Sequence, residues 1–199
     1  MDWIEEIPSG WHGHRKFAEW LVDSANPKVI VELGIDYGYS YFVFANAIKN
    51  LNLSTSLIGV DLFQGDIDTG FRNTFDDVIR NKETHCMPGE IVKQDFEQYS
   101  SIFTGEIDIL HIDGSHRYSD IKRDCLNWFK HVDNNGIILI HDVFNKSFDV
   151  LDLFRELKFK HKLYFKHSGG LGILTKNSHL ATDILTSFND CFDNNVNPI

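Results

Sequence analysis

The feature of this chain that most restricts its fold is a regular alternation of short apolar runs with stretches of helical periodicity. The runs are strand length, and their apolar residues stand at successive positions rather than at every second one. Such runs are typical of parallel strands covered by helices on both faces. The seven runs are Val29–Leu33, Leu57–Val60, Glu90–Lys93, Ile107–Ile112, Ile137–Ile140, Lys162–Phe165 and Leu171–Leu174. Because helical stretches separate them, the sequence predicts a doubly wound α/β domain with a mostly parallel seven-stranded sheet.

The helical stretches carry apolar residues at helical spacing. They are Trp11–Ala25, Tyr39–Leu51, Tyr118–Val132, Phe148–Leu157 and Leu180–Phe192. The stripe of apolar residues in the third is interpreted as core, with Lys122, Arg123 and Asp124 facing away. Phe63–Pro88 is rich in Asp, Gly, Asn and Thr and is interpreted as a loop with an irregular helix. The C-terminal FNDCFDNNVNPI is expected to fray.

Length and composition fit one soluble globular domain, with 199 residues of which 42% are hydrophobic and 24% charged. The formal net charge of −10 disfavours nucleic acid and anionic membranes as partners, because both repel an acidic surface. The start of the chain lacks the pattern of a secretory signal, and the apolar runs are too short to span a bilayer. The scattered Cys86, Cys125 and Cys191 fit neither a disulfide framework nor a zinc ribbon. We therefore expect a cytoplasmic protein.

The first strand ends in the stretch VELGIDYGYS, where two glycines frame the turn into the next helix. Gly34 and Gly38 permit positive φ and let a ligand touch the backbone, and Ser40 lies in the first helical turn. The spacing E-x-G-x-x-x-G departs from the dinucleotide fingerprint G-x-G-x-x-G. Glu32 would repel a pyrophosphate and suits a ligand with a cationic end. The alternative is a tight strand–helix turn that binds no ligand.

Two further acids follow strands at the same predicted edge of the sheet. Asp61 ends the second strand, a position whose acid typically accepts hydrogen bonds from ribose hydroxyls. Asp95 directly follows the third strand and is placed to accept from an adenine amino group. It is equally well placed to cap a helix over Phe96–Ile102, and the two roles are compatible.

The fourth and fifth apolar runs each end in aspartate and histidine. The stretch EIDILHIDGSH carries Asp113 and His116, and GIILIHD carries His141 and Asp142. Taken singly, Asp113 before a glycine is typical of a turn, and Asp142 is typical of a helix cap. His111 lies inside its strand and is interpreted as a satisfied core histidine.

Together these residues resemble a class I S-adenosylmethionine-dependent methyltransferase over nearly the whole chain. The resemblance is closest to a bacterial group of small-molecule methyltransferases associated with sugar or glycan modification, which is similar to the metal-dependent sugar O-methyltransferases of macrolide pathways. The group usually carries a tryptophan before QGD and a histidine after it, where this chain has Phe63 and Asp68. The resemblance implies a Rossmann-like fold whose last strand is antiparallel. Its motifs are PSGWHGH, FAEWLV, VELGIDYGYS, DLFQGD, DILHIDGSHRY, GIILIHD and HSGGLGIL.

The resemblance implies that the cofactor is S-adenosylmethionine. Glu32, Gly34 and Gly38 would line its methionine end, whereas Asp61 would hold the ribose and Asp95 the adenine. The amino group and the sulfonium make this cofactor partly cationic, which agrees with acids at positions where a dinucleotide site avoids them. The further neighbours implied for the cofactor are Ser40, Leu62, Phe96 and Asp113.

In this fold the fourth strand neighbours the first and the fifth neighbours the fourth. Asp113 and His116 would therefore meet His141 and Asp142 over the methyl group of the cofactor. His116 matches the general base of the macrolide sugar enzymes, with Asp113 and His141 as further catalytic residues. Asp113, His141 and Asp142 would hold a divalent metal, either Mg²⁺ or, because one ligand is a histidine, Mn²⁺ or Fe²⁺. A site without metal stays an alternative.

We expect an O-methyltransferase that acts on a hydroxyl of a sugar or related small metabolite, with a homo-oligomer as one candidate assembly. One alternative is the same cofactor with an amine or catechol acceptor. Another is a domain that binds the cofactor without turnover. A nicotinamide-dependent oxidoreductase is disfavoured by the glycine spacing and by Glu32. The expected organisation is an N-terminal helical cap or lid over residues 1–27, a catalytic core over 28–176, and a C-terminal helix and tail over 177–199.

Two histidine-containing motifs allow more than one role. His12 and His14 precede the first helix and form either a lid over cofactor and acceptor or a helix cap. His167, Gly169 and Gly170 either shape the acceptor pocket or form a hairpin between the last two strands.

Overall fold

The computed structural model describes residues 2–67 and 70–199, so the departure at Asp68 lies outside the described residues. Strands and helices alternate along these ranges. The strands are β1 Val29–Leu33, β2 Ser56–Asp61, β3 Gly65–Asp66, β4 Gly70–Phe71, β5 Glu90–Lys93, β6 Ile107–Ile112, β7 Val132–His141, β8 His161–Phe165, β9 Leu171–Thr175 and β10 Cys191–Asp193. The helices are α1 Arg15–Ala25, α2 Tyr39–Asn50, α3 Phe75–Thr84, α4 Phe96–Ile102, α5 Tyr118–Trp128, α6 Val150–Glu156 and α7 Ser178–Ser187.

One eight-stranded sheet, in the order β10-β8-β9-β7-β6-β1-β2-β5, organises the fold. Strands β5, β2, β1, β6 and β7 are parallel, and β9 runs antiparallel between β7 and β8. The predicted doubly wound, mostly parallel sheet is confirmed. Strand order reverses at β1, which pairs with β2 on one side and β6 on the other. Ligands bind outside the carboxyl ends of the strands at such a switch point.

The C-terminal segment corrects two predictions. The last helix ends at Ser187 rather than Phe192, and the segment expected to fray forms the edge strand β10. Cys191 pairs with Phe165 of β8, and the hydroxyl of Tyr164 donates to the carbonyl of Asn197 at 2.8 Å. This eighth strand was missed because three residues are too few for a periodic pattern, and because it forms by pairing with a distant strand.

The region expected to be a loop with an irregular helix is more regular than predicted. It contains the short hairpin β3–β4 and the ten-residue helix α3, which buries Val78 against the sheet. Phe63 packs edge-on against Phe75 with ring centroids 5.1 Å apart. The sequence did not predict α3 as a regular helix because its residues are mostly polar and few of them pack on the core.

Two apolar layers cover the two faces of the sheet. One layer joins α1 and α2 to the sheet through side chains such as Leu21 and Val43. The other joins α5 and α6 to it through Cys125, Trp128 and Leu153. The aromatic stripe predicted as core in α5 lies in this second layer. The indole of Trp128 also donates to the carbonyl of Phe96 at 3.1 Å, which ties α5 to the start of α4.

The N-terminal segment packs against α1 and α2. The first α-helix begins at Arg15, not at Trp11, because residues 12–14 form a 3₁₀ turn. Arg15 pairs with Asp2, Glu5 and Glu19, and the Tyr39 hydroxyl donates to Glu5 at 2.9 Å. These contacts hold the N-terminal segment against the helix that follows the glycine turn. The proposed division into cap, core and tail stays a prediction.

Among residues 2–67 and 70–199, no helix is both long enough and apolar enough to cross a membrane.

Candidate active site

One cavity of about 500 Å³ opens at the carboxyl ends of the central strands. Its volume lies within the range of roughly 300–1,000 Å³ that is usual for small-molecule sites. It gathers residues from the glycine turn, from the ends of β2, β5, β6 and β7, and from the N-terminal segment. The sequence-predicted residues that line it are Gly34, Gly38, Ser40, Asp61, Leu62, Asp95, Phe96, Asp113, His116, His141 and Asp142.

The turn after β1 is held in shape by Asp61. Its Oδ2 accepts the N–H groups of Ile35 and Asp36 at 2.7 and 2.9 Å, and its Oδ1 accepts that of Phe63 at 2.6 Å. Gly34 has φ +90°, and a Cβ there would overlap the carbonyl oxygen of Asp113. Glycine is therefore required by the backbone angle and by the close approach of β1 to β6. The carboxylate of Asp61 shapes the turn in addition to facing the cavity.

Glu32, predicted to line the methionine end of the cofactor, lies behind the cavity wall. It does not line the cavity but is fully buried behind Ser40, which does. Its Oε1 accepts from the Ser40 hydroxyl and lies 3.0 Å from Nδ1 of His111, while its Oε2 has no hydrogen-bond partner among the described residues. Burial raises the pKa of Glu32, opposed by the hydrogen bond from His111. His111 thus lies in the core as predicted, but only its Nδ1 is bonded, and its Nε2 has no hydrogen-bond partner among the described residues.

Asp95 has the helix-cap role that was one of the two left open by the sequence, and its role toward adenine stays a prediction. Its Oδ1 accepts the N–H groups of Glu97 and Gln98 at 2.9 and 3.1 Å, so it is the N-cap of α4. The same residue lines the cavity together with Phe96. The N-cap geometry fixes the position of this carboxylate at the cavity wall.

At the opposite end of the cavity, β6 and β7 bring four polar side chains together. Nδ1 of His141 lies 3.1 Å from Asp113 Oδ1 and 3.6 Å from Asp142 Oδ2. Nε2 of His116 lies 3.0 Å from Asp142 Oδ2 and 4.0 Å from Asp113 Oδ1. The convergence predicted from the two strand ends is therefore present as a mutually bonded cluster.

The charges of this cluster stabilise one another. Burial alone would lower the pKa of His141, but Asp113 and Asp142 outweigh it and raise that pKa to about 9. Burial alone would raise the pKa of Asp113, but His141 outweighs it and lowers that pKa to about 2. Nε2 of His141 faces the carbonyl oxygen of Ser168 at 2.9 Å. At neutral pH this pair is an imidazolium bonded to a carboxylate.

His116 has a separate environment within the cluster. Its ring stacks on Phe148 with centroids 3.9 Å apart, and its Nδ1 is buried without a partner among the described residues. Burial lowers the pKa of His116, but the hydrogen bond to Asp142 and the charge of Asp113 outweigh it, so that the pKa lies above its usual value. An imidazole oriented by a carboxylate is suited to accept a proton.

The geometry also suits a metal ion. One ligand atom each from Asp113, His141 and Asp142 lies within 4.8 Å of the others. His141 directs Nε2 to the carbonyl of Ser168, which is the usual second bond of a metal-binding histidine and leaves Nδ1 toward the carboxylates. Two oxygens and one nitrogen fit a divalent cation, and the nitrogen favours a transition metal over Mg²⁺.

The loop between β8 and β9 packs directly on this cluster. Gly169 and Gly170 have φ +77° and +90°, and a Cβ at Gly169 would overlap Asp142 Oδ1. These glycines belong to the antiparallel hairpin that was one of the predicted alternatives. His167 of this loop and His14 do not line the cavity, and their rings lie 4.6 Å apart. Burial and neighbouring histidines lower the pKa of His14 to about 3, so it is neutral.

Several cavity residues were not predicted. Phe148 had been assigned only to a helix, and its stacking on His116 has no signal in the sequence. Arg72 bonds both oxygens of Asp36 at 2.7 Å and fixes the β3–β4 hairpin beside the glycine turn. Asp124, expected to face away, is buried and lines the cavity. The signal for Asp124 was present, because it is three residues after Ile121 on the inner face of α5.

Residues 31–143, more than half of the chain, match a family described as a methyltransferase domain. The chain belongs to that family. It is also 34% identical over 179 residues to an uncharacterized protein named y4gI from Sinorhizobium fredii, an alignment that covers 87% of this chain and 20% of that protein. The chain thus spans about a fifth of the length of this curated relative.

Solved methyltransferases share the fold of this family member at low sequence identity. The O-methyltransferase NovP superposes with a TM-score of 0.66 at 15% identity, covering 82% of this chain and 78% of that one. A Bacillus cereus O-methyltransferase in complex with S-adenosylhomocysteine gives 0.63 at 13% identity, covering 86% of each chain. The S-adenosylhomocysteine-bound methyltransferase PaMTH1 of Podospora anserina gives 0.61 at 15%, covering 81% and 77%.

Proposed function

We propose that this methyltransferase uses S-adenosylmethionine to methylate a hydroxyl group of a sugar or related small metabolite, with His116 as general base. The observation that carries the proposal is the cluster at the ends of β6 and β7, where His116 is bonded to Asp142 at 3.0 Å at one end of the cavity. The glycine turn lies against the backbone of Asp113, and Asp61 and Asp95 line the cavity farther from β7 along the sheet. The cofactor and the base would thus lie on either side of the reacting oxygen.

The cavity wall fits the proposed cofactor. Asp61 and Asp95 offer acceptors for the ribose and the adenine amino group, and Leu62 and Phe96 offer apolar surface beside them. Asp113 faces the same cavity near the end that would hold the cationic sulfonium. The cofactor would supply a methyl group for in-line displacement onto the acceptor oxygen. Because Glu32 is buried behind Ser40, we propose that it supports the turn rather than touching the cofactor.

His116 would take the proton of the acceptor hydroxyl at Nδ1, because its Nε2 is bonded to Asp142. Asp142 orients the ring and stabilises the imidazolium that forms, and Phe148 fixes the plane of the ring by stacking. General-base catalysis of this kind contributes on the order of 10²–10⁴ in rate. Holding acceptor and methyl donor in one cavity supplies the remainder through proximity and alignment.

A divalent metal is a further part of the proposal. Asp113, His141 and Asp142 would hold it, and it would lower the pKa of the acceptor hydroxyl. Because a proton on Nδ1 of His141 competes with the metal, metal binding is expected to release a proton and to strengthen as pH rises. The cytoplasmic location, a homo-oligomer and carbohydrate as the acceptor class stay predictions.

The test is methyl transfer from isotopically labelled S-adenosylmethionine to a panel of monosaccharides, glycosides, catechols and amines, with Mn²⁺, Mg²⁺ or chelator. We expect label on a sugar hydroxyl with the wild type and little with His116→Gln. Label on an amine or a catechol alone would overturn the acceptor class. Cofactor binding without transfer to any hydroxyl would favour a binding domain without turnover.

A further inference from the structure

Asp124 is a buried acid that the chemistry above does not use. It lies in the middle of α5, is only 2% exposed, and still contributes to the wall of the cavity. Its neighbours on the inner face of the helix are the apolar Ile121, Cys125 and Trp128. A carboxyl group at such a position is costly unless it has a partner.

No hydrogen-bond donor or cation within the described ranges pairs with this carboxyl group. The adjacent Arg123 points elsewhere, at 3.5 Å from Asp120 and 4.0 Å from Glu97. Two other buried acids, Glu32 and Asp113, are each bonded to a histidine through one carboxylate oxygen. Asp124 has no such bond among the described residues, and the cavity is where a partner can reach it.

The position of Asp124 identifies which end of the cavity it serves. Trp128, one turn further along α5, donates to the carbonyl of Phe96 at the start of α4. Asp95 and Glu97 are among the charges that act on Asp124, together with Asp120 and Arg123 of its own helix. Asp124 therefore lies on the side of the cavity where α5 packs on α4, the helix that Asp95 caps.

We propose that Asp124 binds the adenine base of the cofactor, as a second carboxyl group beside Asp95. This inference rests on the proposed function. The edge of adenine presents an amino donor beside a ring-nitrogen acceptor. A neutral carboxyl group presents a carbonyl acceptor beside a hydroxyl donor, so the two are complementary.

The electrostatics agree with a neutral group. Burial, opposed by Arg123 and reinforced by Asp120, Asp95 and Glu97, raises the pKa of Asp124 to about 7. Since the neutral form pairs with adenine, cofactor affinity should fall as pH rises above about 7. An asparagine at this position would offer the same acceptor and donor at every pH.

The test compares the wild type with Asp124→Asn and Asp124→Leu, and with the exposed Glu106→Gln as a control away from the cavity wall. Calorimetric titration with S-adenosylhomocysteine should give an affinity about tenfold weaker for the leucine variant and close to wild type for the asparagine variant. The titrations should be repeated from about pH 6 to about pH 9, a range that spans the titration of the Asp124 carboxyl group. As pH rises, the affinity of the wild type should fall relative to that of Asp124→Asn.

Two readouts separate this role from a structural one. The melting temperature of ligand-free Asp124→Leu should equal or exceed that of the wild type at pH 8, since the variant removes a buried, unpaired carboxylate. Its loss of affinity should be smaller for the S-adenosylhomocysteine analogue that lacks the 6-amino group. Unchanged affinity in Asp124→Leu, or a loss equal for both ligands, would overturn the inference. Absence of binding in the wild type would instead overturn the proposed function.

Discussion

His116 and Asp142 form the pair on which the proposed chemistry depends most directly. Asp142 adopts φ +60°, an unusual backbone angle for a residue other than glycine. That conformation directs its carboxylate at Nε2 of His116 and close to Nδ1 of His141. Strained residues of this kind persist where the surroundings enforce them and are frequent at functional sites. The strain here accompanies the residue that orients the proposed base.

Replacing the base should affect the rate and leave cofactor binding intact. His116→Gln is expected to lower kcat by about 10²–10⁴-fold, because the hydroxyl would lose its proton acceptor. Affinity for S-adenosylhomocysteine should stay within a few-fold of wild type, as measured by calorimetry. The exposed His179→Gln is the control. A rate for His116→Gln equal to that of the control would remove this residue from the chemistry.

The pH profile gives an independent test of the same pair. His116 must be neutral to accept a proton, and its pKa is raised by Asp142 and Asp113. The rate should therefore rise with pH through a pKa above 6.5, the ordinary histidine value. Asp142→Asn removes a charge that stabilises the imidazolium form of His116. The rising part of the pH–rate profile should therefore move to lower pH by about one unit. A profile that does not move would show that another group titrates.

Replacing Glu32 should destabilise the fold, and the resulting loss of activity could be mistaken for the loss of a cofactor-binding residue. Its carboxylate is bonded to Ser40 and His111 and is fully buried. We expect Glu32→Ala to lower the free energy of unfolding by about 3 kcal/mol, because it leaves His111 without its partner. Urea denaturation would measure this, with the exposed Glu90→Ala as control. A variant as stable as that control would mean that the buried pair contributes nothing to stability.

At the scale of elements, the turn between β1 and α2 is the most constrained connection of the site. Gly34 and Gly70 have nearly equal positive φ, +90° and +91°, but a Cβ at Gly34 would overlap the backbone of Asp113, whereas a Cβ at Gly70 would meet no described atom within 4 Å. Gly34→Ala should cost more than about 2 kcal/mol, whereas Gly70→Ala should cost about 1 kcal/mol from the backbone angle alone. Comparing the two unfolding free energies isolates the contact with the backbone of Asp113. Equal losses would contradict the close approach of β1 and β6.

The elements that the sequence predicted well are those with strong local patterns. Strands β1, β2, β5 and β6 and helix α2 match their predicted positions within one residue, because their apolar residues form continuous local patterns. Strand β7 begins at Val132, which was predicted to end the preceding helix. The start of α1, the helix α3 and the strand β10 were missed or misplaced. Each of these depends on contacts with distant residues, such as the pairing of β10 with β8, that no local pattern records.

For the whole molecule, sequence reasoning predicted which side chains meet at the candidate site but not how they are bonded to one another. The strand ends predicted the meeting of Asp113, His116, His141 and Asp142, because parallel strands place their carboxyl ends at one edge. Which oxygen each histidine faces depends on the β8–β9 loop and on Phe148, and both arrive from far along the chain. The orientation of Asp124 was wrong because its charge outweighed its helical position. Charged residues usually face solvent, and composition alone does not reveal that Asp124 is a buried exception.

The most direct test of the central claim is calorimetric titration of S-adenosylhomocysteine into the wild type and into Asp61→Asn, with and without Mn²⁺. We predict binding on the order of micromolar for the wild type. Binding should be at least about tenfold weaker in the variant, because Asp61 both holds the glycine turn and faces the cavity. Absence of heat with the wild type under either condition would contradict the assignment of this cavity to the cofactor.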